Sequence, residues 1–270
     1  MYYFITDVLR KNGIIKYGVL AAEEAETLKP PMEGVRSYII MLLPYHTPDV
    51  ERNVARFACF PDYHTAIKNL LGKISAELEK KFRGEKFRPS VDSSPLSEVK
   101  CAEKCGLGVI GRNGLLINKD YGSYCFIAEL ATTMDLDDDG VFMTLPQQIE
   151  CENCNRCVNN CPTGALSPEG FNADKCVSHI SQKKGQLSPE EEKTIASAEY
   201  IWGCDRCQEA CPLNASVKDT HLRCFMETTP IVTEELINDP EFFKASAFAW
   251  RGKEPILRNI RLQKEKKSQN

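Results

Sequence analysis

Two closely spaced cysteine runs constrain this 270-residue chain more than any other feature. The first has the spacing C-x2-C-x2-C-x3-C-P and ends at Cys161-Pro162. The second is the shorter C-x2-C-x3-C-P, which ends at Cys211-Pro212. Three thiolates at two-residue spacing wrap one iron–sulfur cluster, and a fourth that precedes proline binds the other cluster of a pair. The sequence therefore predicts two 4Fe–4S clusters.

The second run is one cysteine short, and Cys176, which lies between the runs, is the natural substitute. The count then closes at eight thiolates, which form two sets of four because the fourth cysteine of each run crosses to the other cluster. The predicted ligands of one cluster are Cys151, Cys154, Cys157 and Cys211, and those of the other are Cys161, Cys176, Cys204 and Cys207.

Other uses of cysteine fit this pattern less well. Zinc ribbons need four ligands in C-x2-C pairs, not a third cysteine at the same spacing and a fourth before proline. Disulfide frameworks are typical of small secreted domains, whereas this chain opens without a basic segment followed by an apolar one. We therefore expect a cytoplasmic protein. Five cysteines are left as buried small apolar side chains: Cys59, Cys101, Cys105, Cys125 and Cys224.

The composition is that of an ordinary globular protein, with 42% hydrophobic and 27% charged residues. The formal net charge of −4 gives no general attraction to nucleic acid. No apolar run approaches the ~20 residues that a membrane-spanning helix needs, so we expect no membrane partner.

Strand and helix patterns alternate before the first cysteine run, which predicts an α/β or α+β layered domain. The nearly unbroken apolar run Ser37–Leu43 predicts a buried strand, and Tyr63–Phe82 predicts an amphipathic helix. Further predicted helices cover 2–11, 23–28, 95–105 and 188–197, and further predicted strands cover 14–20, 87–91, 115–118 and 124–132.

The acidic stretch 135–140 marks a predicted boundary between domains. We predict three units, at 1–147, 148–224 and 225–270, of which the second holds the clusters and the third is a short helical extension. A bare two-cluster electron carrier needs only roughly 55–80 residues. The preceding domain therefore predicts a second redox centre or a substrate that receives the electrons.

Several stretches, in one order along the chain, resemble motifs of the epoxyqueuosine reductases, which are related to the reductive dehalogenases. The resemblance is dense from about residue 86 to 260 and weaker in the first 85. The motifs are VDSSPL at 91–96, GLGVIGRN at 106–113, YGSY at 121–124, AEL at 128–130, GCDRCQ at 203–208, CPLN at 211–214 and WRGK at 250–253.

This resemblance implies a nitroreductase-like α/β domain that binds cobalamin, followed by a ferredoxin-like domain with two 4Fe–4S clusters. It also implies that Asp92 is the general acid, which near neutral pH requires a raised carboxyl pKa. Without the resemblance, Asp92 would be read as a helix N-cap and His64 as a surface residue. The implied cobalamin contacts are Arg56, Arg112, Asn113, Leu116, Ile127, Gln182 and Lys184.

The chain departs from the family where the substrate is concerned. Val99 stands where the family has an arginine for the nucleoside, and the C-terminal helical repeats that help to hold tRNA are missing. We therefore expect cobalamin-dependent reduction of a small-molecule or nucleoside substrate, with electrons from a donor such as a ferredoxin or flavodoxin. The alternatives are an epoxyqueuosine-tRNA reductase proper, for which tRNA is a partner, and a cobalamin-free electron-transfer protein.

Overall fold

The computed structural model describes residues 1–29, 33–136, 151 and 154–269. Its centre is a four-stranded antiparallel sheet in the order β1-β2-β6-β3. The strands of this sheet are β1 (Lys16–Ala21), β2 (Ser37–Pro44), β3 (Phe87–Ser90) and β6 (Cys125–Thr132). Two pairs of two-residue strands form small antiparallel sheets elsewhere in the described part of the chain: β4 (Val109–Ile110) with β5 (Leu116–Ile117), and β7 (Leu166–Ser167) with β8 (Gly170–Phe171).

The described helices run from the N-terminus to the last turn of the chain. They are α1 (Tyr2–Lys11), α2 (Tyr63–Lys81), α3 (Glu98–Lys104), α4 (Arg156–Asn159), α5 (Val177–Ser181), α6 (Pro189–Ala196), α7 (Arg206–Glu209), α8 (Glu234–Asn238), α9 (Pro240–Ala245) and α10 (Lys253–Gln269). None of these helices is long and apolar enough to cross a membrane.

Helices cover both faces of the sheet. Strand β2 is buried along its whole length, as its apolar run predicts. In β6, the even-numbered side chains Phe126, Ala128 and Leu130 belong to the core under α1 and α2. Ile127 and Ala131 instead belong to the core under α3. The mixture of an antiparallel sheet and helices confirms the α+β prediction.

Most predicted elements of the first 136 residues are present, with two exceptions. Residues 23–28 were expected to form a helix, but the structure has turns there and an isolated bridge between Thr27 and Leu96. The helix expected from Pro95 begins only at Glu98, after the N-cap residue Ser97. The backbone of Leu28 donates to the Pro95 carbonyl at 2.6 Å, so the two stretches pair as extended chain instead.

The C-terminal segment packs onto the first domain. Backbone hydrogen bonds join Ala55 to Trp202 at 2.8 Å and Asp62 to Ala245 at 2.6 Å. Fully buried Trp202 and Phe248 share one apolar cluster with Val54. The loop 53–62 therefore contacts both the segment that leads into the second cysteine run and the C-terminal helical segment. The predicted boundary at 147/148 lies outside the described residues, and the one at 224/225 stays a prediction.

Candidate redox and substrate site

The first predicted set of cysteines comes together around one small cavity. Cys151, Cys154, Cys157 and Cys211 all line it, although Cys211 is 50 or more residues away in sequence from the other three. Helix α4 starts here after Asn155, whose backbone takes the left-handed conformation with φ 51°. The Arg112 backbone N–H donates to Cys151 Sγ at 3.4 Å. Four thiols, and one backbone N–H that donates to a sulfur, therefore surround this cavity.

The second predicted set lines another cavity, of about 380 Å³. Its members are Cys161, Cys176, Cys204 and Cys207. Burial raises the pKa of Cys204 to about 11 and that of Cys207 to about 12, and the neighbouring thiols add to both. Burial also opposes ionisation of Cys161, but backbone amides led by that of Leu166 outweigh it and lower its pKa. A cationic iron–sulfur group would relieve the mutual repulsion of these sulfurs.

The spacing of these thiols suits clusters better than single ions. Among the described residues, no three His, Cys, Asp or Glu side chains lie close enough to hold one metal ion. Two sets of four cysteines with room between them are what soft, multi-atom iron–sulfur groups require. The donor sets present therefore fit two 4Fe–4S clusters.

The cavity beside the second set adjoins a neighbouring one. Phe57 and Tyr63 line both cavities, and the neighbour has a volume of about 520 Å³. We call the two together the recess. Each part is as large as an ordinary ligand pocket. One end of the recess is formed by the cysteines of the second predicted set, and the other end holds Asp92, His64 and Trp250. Any molecule bound in it would bridge the cluster segment and these polar groups.

Asp92 stands in the loop after β3, with a positive φ of 54°. Its Oδ2 accepts a hydrogen bond from the Tyr63 hydroxyl and lies 3.2 Å from His64 Nε2. His64 Nδ1 is 2.8 Å from Oδ1 of Asp62, the N-cap residue of α2. The imidazole thus lies between two carboxylates. Asp92 is not a helix cap, because α3 has Ser97 in that position.

The electrostatics of this group correct one prediction. Burial favours a raised Asp92 pKa, but the hydrogen bonds from His64 and Tyr63 outweigh it and lower the pKa. Hydrogen bonds to Asp62 and Asp92 raise the pKa of His64 to about 9. The expected raised pKa of Asp92 is therefore wrong. Near neutral pH, His64 is therefore an imidazolium and Asp92 a carboxylate, so the proton of the pair is on His64.

Sequence reasoning therefore undervalued Tyr63 and His64. The Tyr63 ring stacks on His64 with centroids 4.0 Å apart and on Phe126 at 4.1 Å. Burial and Asp92 raise the Tyr63 pKa. The signal available in the sequence was the Asp62-Tyr63-His64 tripeptide at the start of a predicted helix. Cys125, expected to be a simple buried side chain, is partly exposed and lines the recess.

The predicted cobalamin contacts are scattered. Asn113 and Gln182 line the recess, one in each part. Arg112 lines the cavity of the first cysteine set. Leu116 and Ile127 belong to the core under α3. The other two charged contacts are placed elsewhere: Lys184 is exposed, and Arg56 is buried with its guanidinium donating to the Thr47 carbonyl at 2.6 Å.

Comparison with known proteins identifies the family. Residues 150–214 match the model described as a 4Fe-4S double cluster binding domain, and residues 27–93 match the model described as epoxyqueuosine reductase QueG, DUF1730. The epoxyqueuosine reductase of Leadbetterella byssophila is 31% identical over 272 residues, which cover 95% of this chain and 87% of that protein. The chain belongs to the epoxyqueuosine reductase family. The family match also reaches into the first 85 residues, where the resemblance was expected to be weaker.

Other relatives are longer than this chain. The epoxyqueuosine reductases of Lactococcus garvieae and Bacillus subtilis are 37% and 36% identical over 74% and 73% of the chain, but only 57% and 52% of their own lengths are covered. The chain thus spans about half the length of these curated relatives.

Solved structures confirm the fold. An epoxyqueuosine reductase crystallised with a tRNA-Tyr epoxyqueuosine-modified stem loop has a TM-score of 0.80 at 26% identity, covering 97% of this chain and 81% of that one. A reductive dehalogenase, whose structure is reported to suggest a mechanism for B12-dependent dehalogenation, shares the fold with a TM-score of 0.53 at 17% identity. The fold prediction, a nitroreductase-like domain followed by a double-cluster domain, is confirmed at this level.

Proposed function

We propose that the protein is an iron–sulfur oxidoreductase that passes electrons from two 4Fe–4S clusters to cobalamin in the recess, where a bound substrate is reduced. The observation that carries this proposal is the recess itself. It has cluster-ligand cysteines at one end and a proton-bearing His64–Asp92 pair at the other. Electron supply and proton supply therefore lie in adjoining cavities, and the reduction of a carbon–oxygen bond requires both.

The residues of the recess fit a large, partly apolar cofactor. Aromatic rings from Tyr45, Phe57 and Phe126 line the cluster side, and Asn113 and Ser123 add polar groups there. Cobalamin bound there would supply a low-valent cobalt as the reductant of the substrate. Among the residues lining the cluster side there is no histidine, so the chain offers no imidazole ligand on that side.

The chain's own part in the chemistry lies with protons. His64 donates to Asp92, and Tyr63 donates to the same oxygen, so Asp92 presents a charged, oriented carboxyl to the 520 Å³ part of the recess. A proton passed from His64 through Asp92 to a leaving oxygen avoids the release of a poor alkoxide leaving group. Asp92 remains our proposed general acid, with His64 as the proton store behind it.

Electrons would enter at the first cluster. Cys154 is exposed, and the exposed side chains of Arg112 and Arg156 line the same cavity. A positively charged surface beside a shallow cluster favours an acidic electron carrier, because complementary charge steers association. We therefore propose a ferredoxin or flavodoxin as the donor. Eight ligand thiolates also favour a reducing compartment, and we propose the cytoplasm.

The substrate is a small molecule or a nucleoside. Val99 packs against the core under α3, so it offers no hydrogen bond to a nucleoside. His64, Lys68 and Gln182 nevertheless provide polar groups in the recess. A second candidate, epoxyqueuosine in tRNA, is favoured by the Leadbetterella relative, which carries that name and is 87% covered by this chain.

The test is turnover by anaerobically prepared protein containing both clusters, with and without cobalamin and with a reduced ferredoxin. Free epoxyqueuosine and an epoxyqueuosine-containing anticodon stem-loop serve as the two substrates. We expect cobalamin-dependent reduction of the free nucleoside. Turnover of the stem-loop alone would favour the second candidate, and reduction of a partner protein without cobalamin would replace both with simple electron transfer.

A further inference from the structure

Two carboxyl groups near the Asp92 loop, those of the buried Glu129 and the partly buried Glu98, have no part in the function described so far. Glu129 sits in the middle of β6, where its Cα pairs with Ile40 of β2 and Ser90 of β3. Side chains alternate along a strand, so Glu129 points to the α3 side together with Ile127 and Ala131. It is only 1% exposed. A carboxyl group in the centre of a sheet is costly unless it has a use or a partner.

Four buried oxygens in this region make no hydrogen bond of 3.5 Å or less within the described part of the chain, and the hydroxyls of Ser90 and Ser94 reach Glu129 only at longer range. These four are both carboxylate oxygens of Glu129, Oε1 of Glu98 and the hydroxyl of Tyr38. An unpaired buried polar group destabilises the fold. Protonation removes part of this cost, because a carboxylic acid is a donor as well as an acceptor. Two carboxyls that share a proton could satisfy one another, because the protonated one donates to the other.

The electrostatics support protonation. Burial, followed by repulsion from Glu129 and Asp92, raises the pKa of Glu98 to about 8. Burial, followed by weaker repulsion from Asp92, raises the pKa of Glu129 to about 7. The Asp92 backbone N–H and His64 oppose the rise at Glu98, and the hydroxyls of Ser94 and Ser90 oppose it at Glu129. The titratable groups that face the pair are Tyr38 of β2, His64 of α2, Asp92 after β3 and Cys101 of α3.

We propose that Glu98 and Glu129 form a proton-sharing pair that re-protonates the His64–Asp92 pair during each reduction. This role rests on the proposed function and deepens it. Loss of an epoxide oxygen breaks two carbon–oxygen bonds, forms one carbon–carbon double bond and releases water. It consumes two electrons, which the clusters supply, and two protons. The His64–Asp92 pair holds one proton, and the carboxyl pair supplies the second.

The first test is infrared spectroscopy of the cluster-loaded protein, which separates the carbonyl stretch of a protonated carboxyl from carboxylate bands. We expect a buried carboxyl band at pH 6 that is lost as the pH rises through 7 to 8. Glu129→Gln and Glu98→Gln should each remove about half of its intensity, and exposed Glu23→Gln should leave it intact. A band that neither glutamine variant changes would overturn the proposal.

The second test is the coupling of the pair to Asp92. Because the Asp92 charge raises the pKa of both glutamates, Asp92→Asn should shift the loss of the infrared band to lower pH. An unshifted band would overturn the proton connection. In turnover assays the two glutamine variants should be ~10- to 100-fold slower than Glu23→Gln while retaining both clusters. Equal turnover rates of the glutamine variants and Glu23→Gln would also overturn it. If the infrared band and its shift in Asp92→Asn are observed but the wild-type protein shows no turnover, the proposed function is refuted instead.

Discussion

The His64–Asp92 pair makes a prediction that needs no substrate. Hydrogen bonds to Asp62 and then Asp92 raise the pKa of His64 from 6.5 to about 9. That difference corresponds to ~3 kcal/mol of preference for the imidazolium, and two carboxylates share it. Asp92 is 46% exposed on its side chain, so solvent screening reduces its share to about 1 kcal/mol. Replacement of Asp92 by Asn should therefore lower the His64 pKa by ~0.7 pH units.

Proton NMR of the imidazoles measures this directly. The chain has four histidines, and His64→Gln assigns the resonance of interest. Asp219→Asn is the matched control, because Asp219 contacts His46 at 2.8 Å and should leave His64 unchanged. A wild-type His64 pKa near 6.5, or a His64 pKa that Asp92→Asn does not change, would refute the assignment of the proton to His64.

The same pair sets a pH dependence of stability. A raised folded-state pKa stabilises the fold fully below pH 6.5, and this contribution is lost as the pH rises through about 9. The wild type should therefore lose up to ~1 kcal/mol of unfolding free energy relative to Asp92→Asn across this window.

The same substitution should also slow turnover. Asn keeps the side-chain shape but cannot pass a proton, so the rate should fall ~10²–10⁴-fold with both clusters retained.

Two further predictions concern the cluster segment. Cys176→Ser should destroy or convert one cluster and spare the other, as measured by iron content and electron paramagnetic resonance; an unchanged spectrum would remove Cys176 from the ligand set. Arg52→Met should destabilise the protein by about 3–5 kcal/mol in anaerobic denaturation, because it leaves Asp205 buried and charged. The two side chains are 3.1 Å apart, and Asp205 is 1% exposed. A loss below ~1 kcal/mol would show that the buried pair is not needed.

Features encoded by local spacing were predictable from the sequence. The helix predicted over 188–197 is present as α6, and a capping box of Ser188 and Glu191 opens it. The two sets of cysteines line two separate cavities, as their assignment to two clusters predicts, and their role as ligands stays a prediction. The apolar run of β2 likewise identified a strand buried on both faces.

Features that depend on distant contacts could not be read locally. Asp92 meets Tyr63 across 29 positions of sequence, so its lowered pKa depends on how α2 begins against the loop after β3. Glu129 was read only as part of a motif, because strand alternation cannot say that both its oxygens would lack partners. Residues 23–28 have helical composition, but pairing with 95–97 overrides that local preference.

In the proposed function, electrons from two clusters meet cobalamin in the recess. Anaerobic reconstitution with iron, sulfide and hydroxocobalamin, followed by elemental analysis and paramagnetic resonance, tests it most directly. We predict eight irons and one cobalt per chain, and a cobalt(II) spectrum without splitting from an axial nitrogen, because no histidine lines the cluster side of the recess. Eight irons without bound cobalt would contradict the claim and leave an electron-transfer protein.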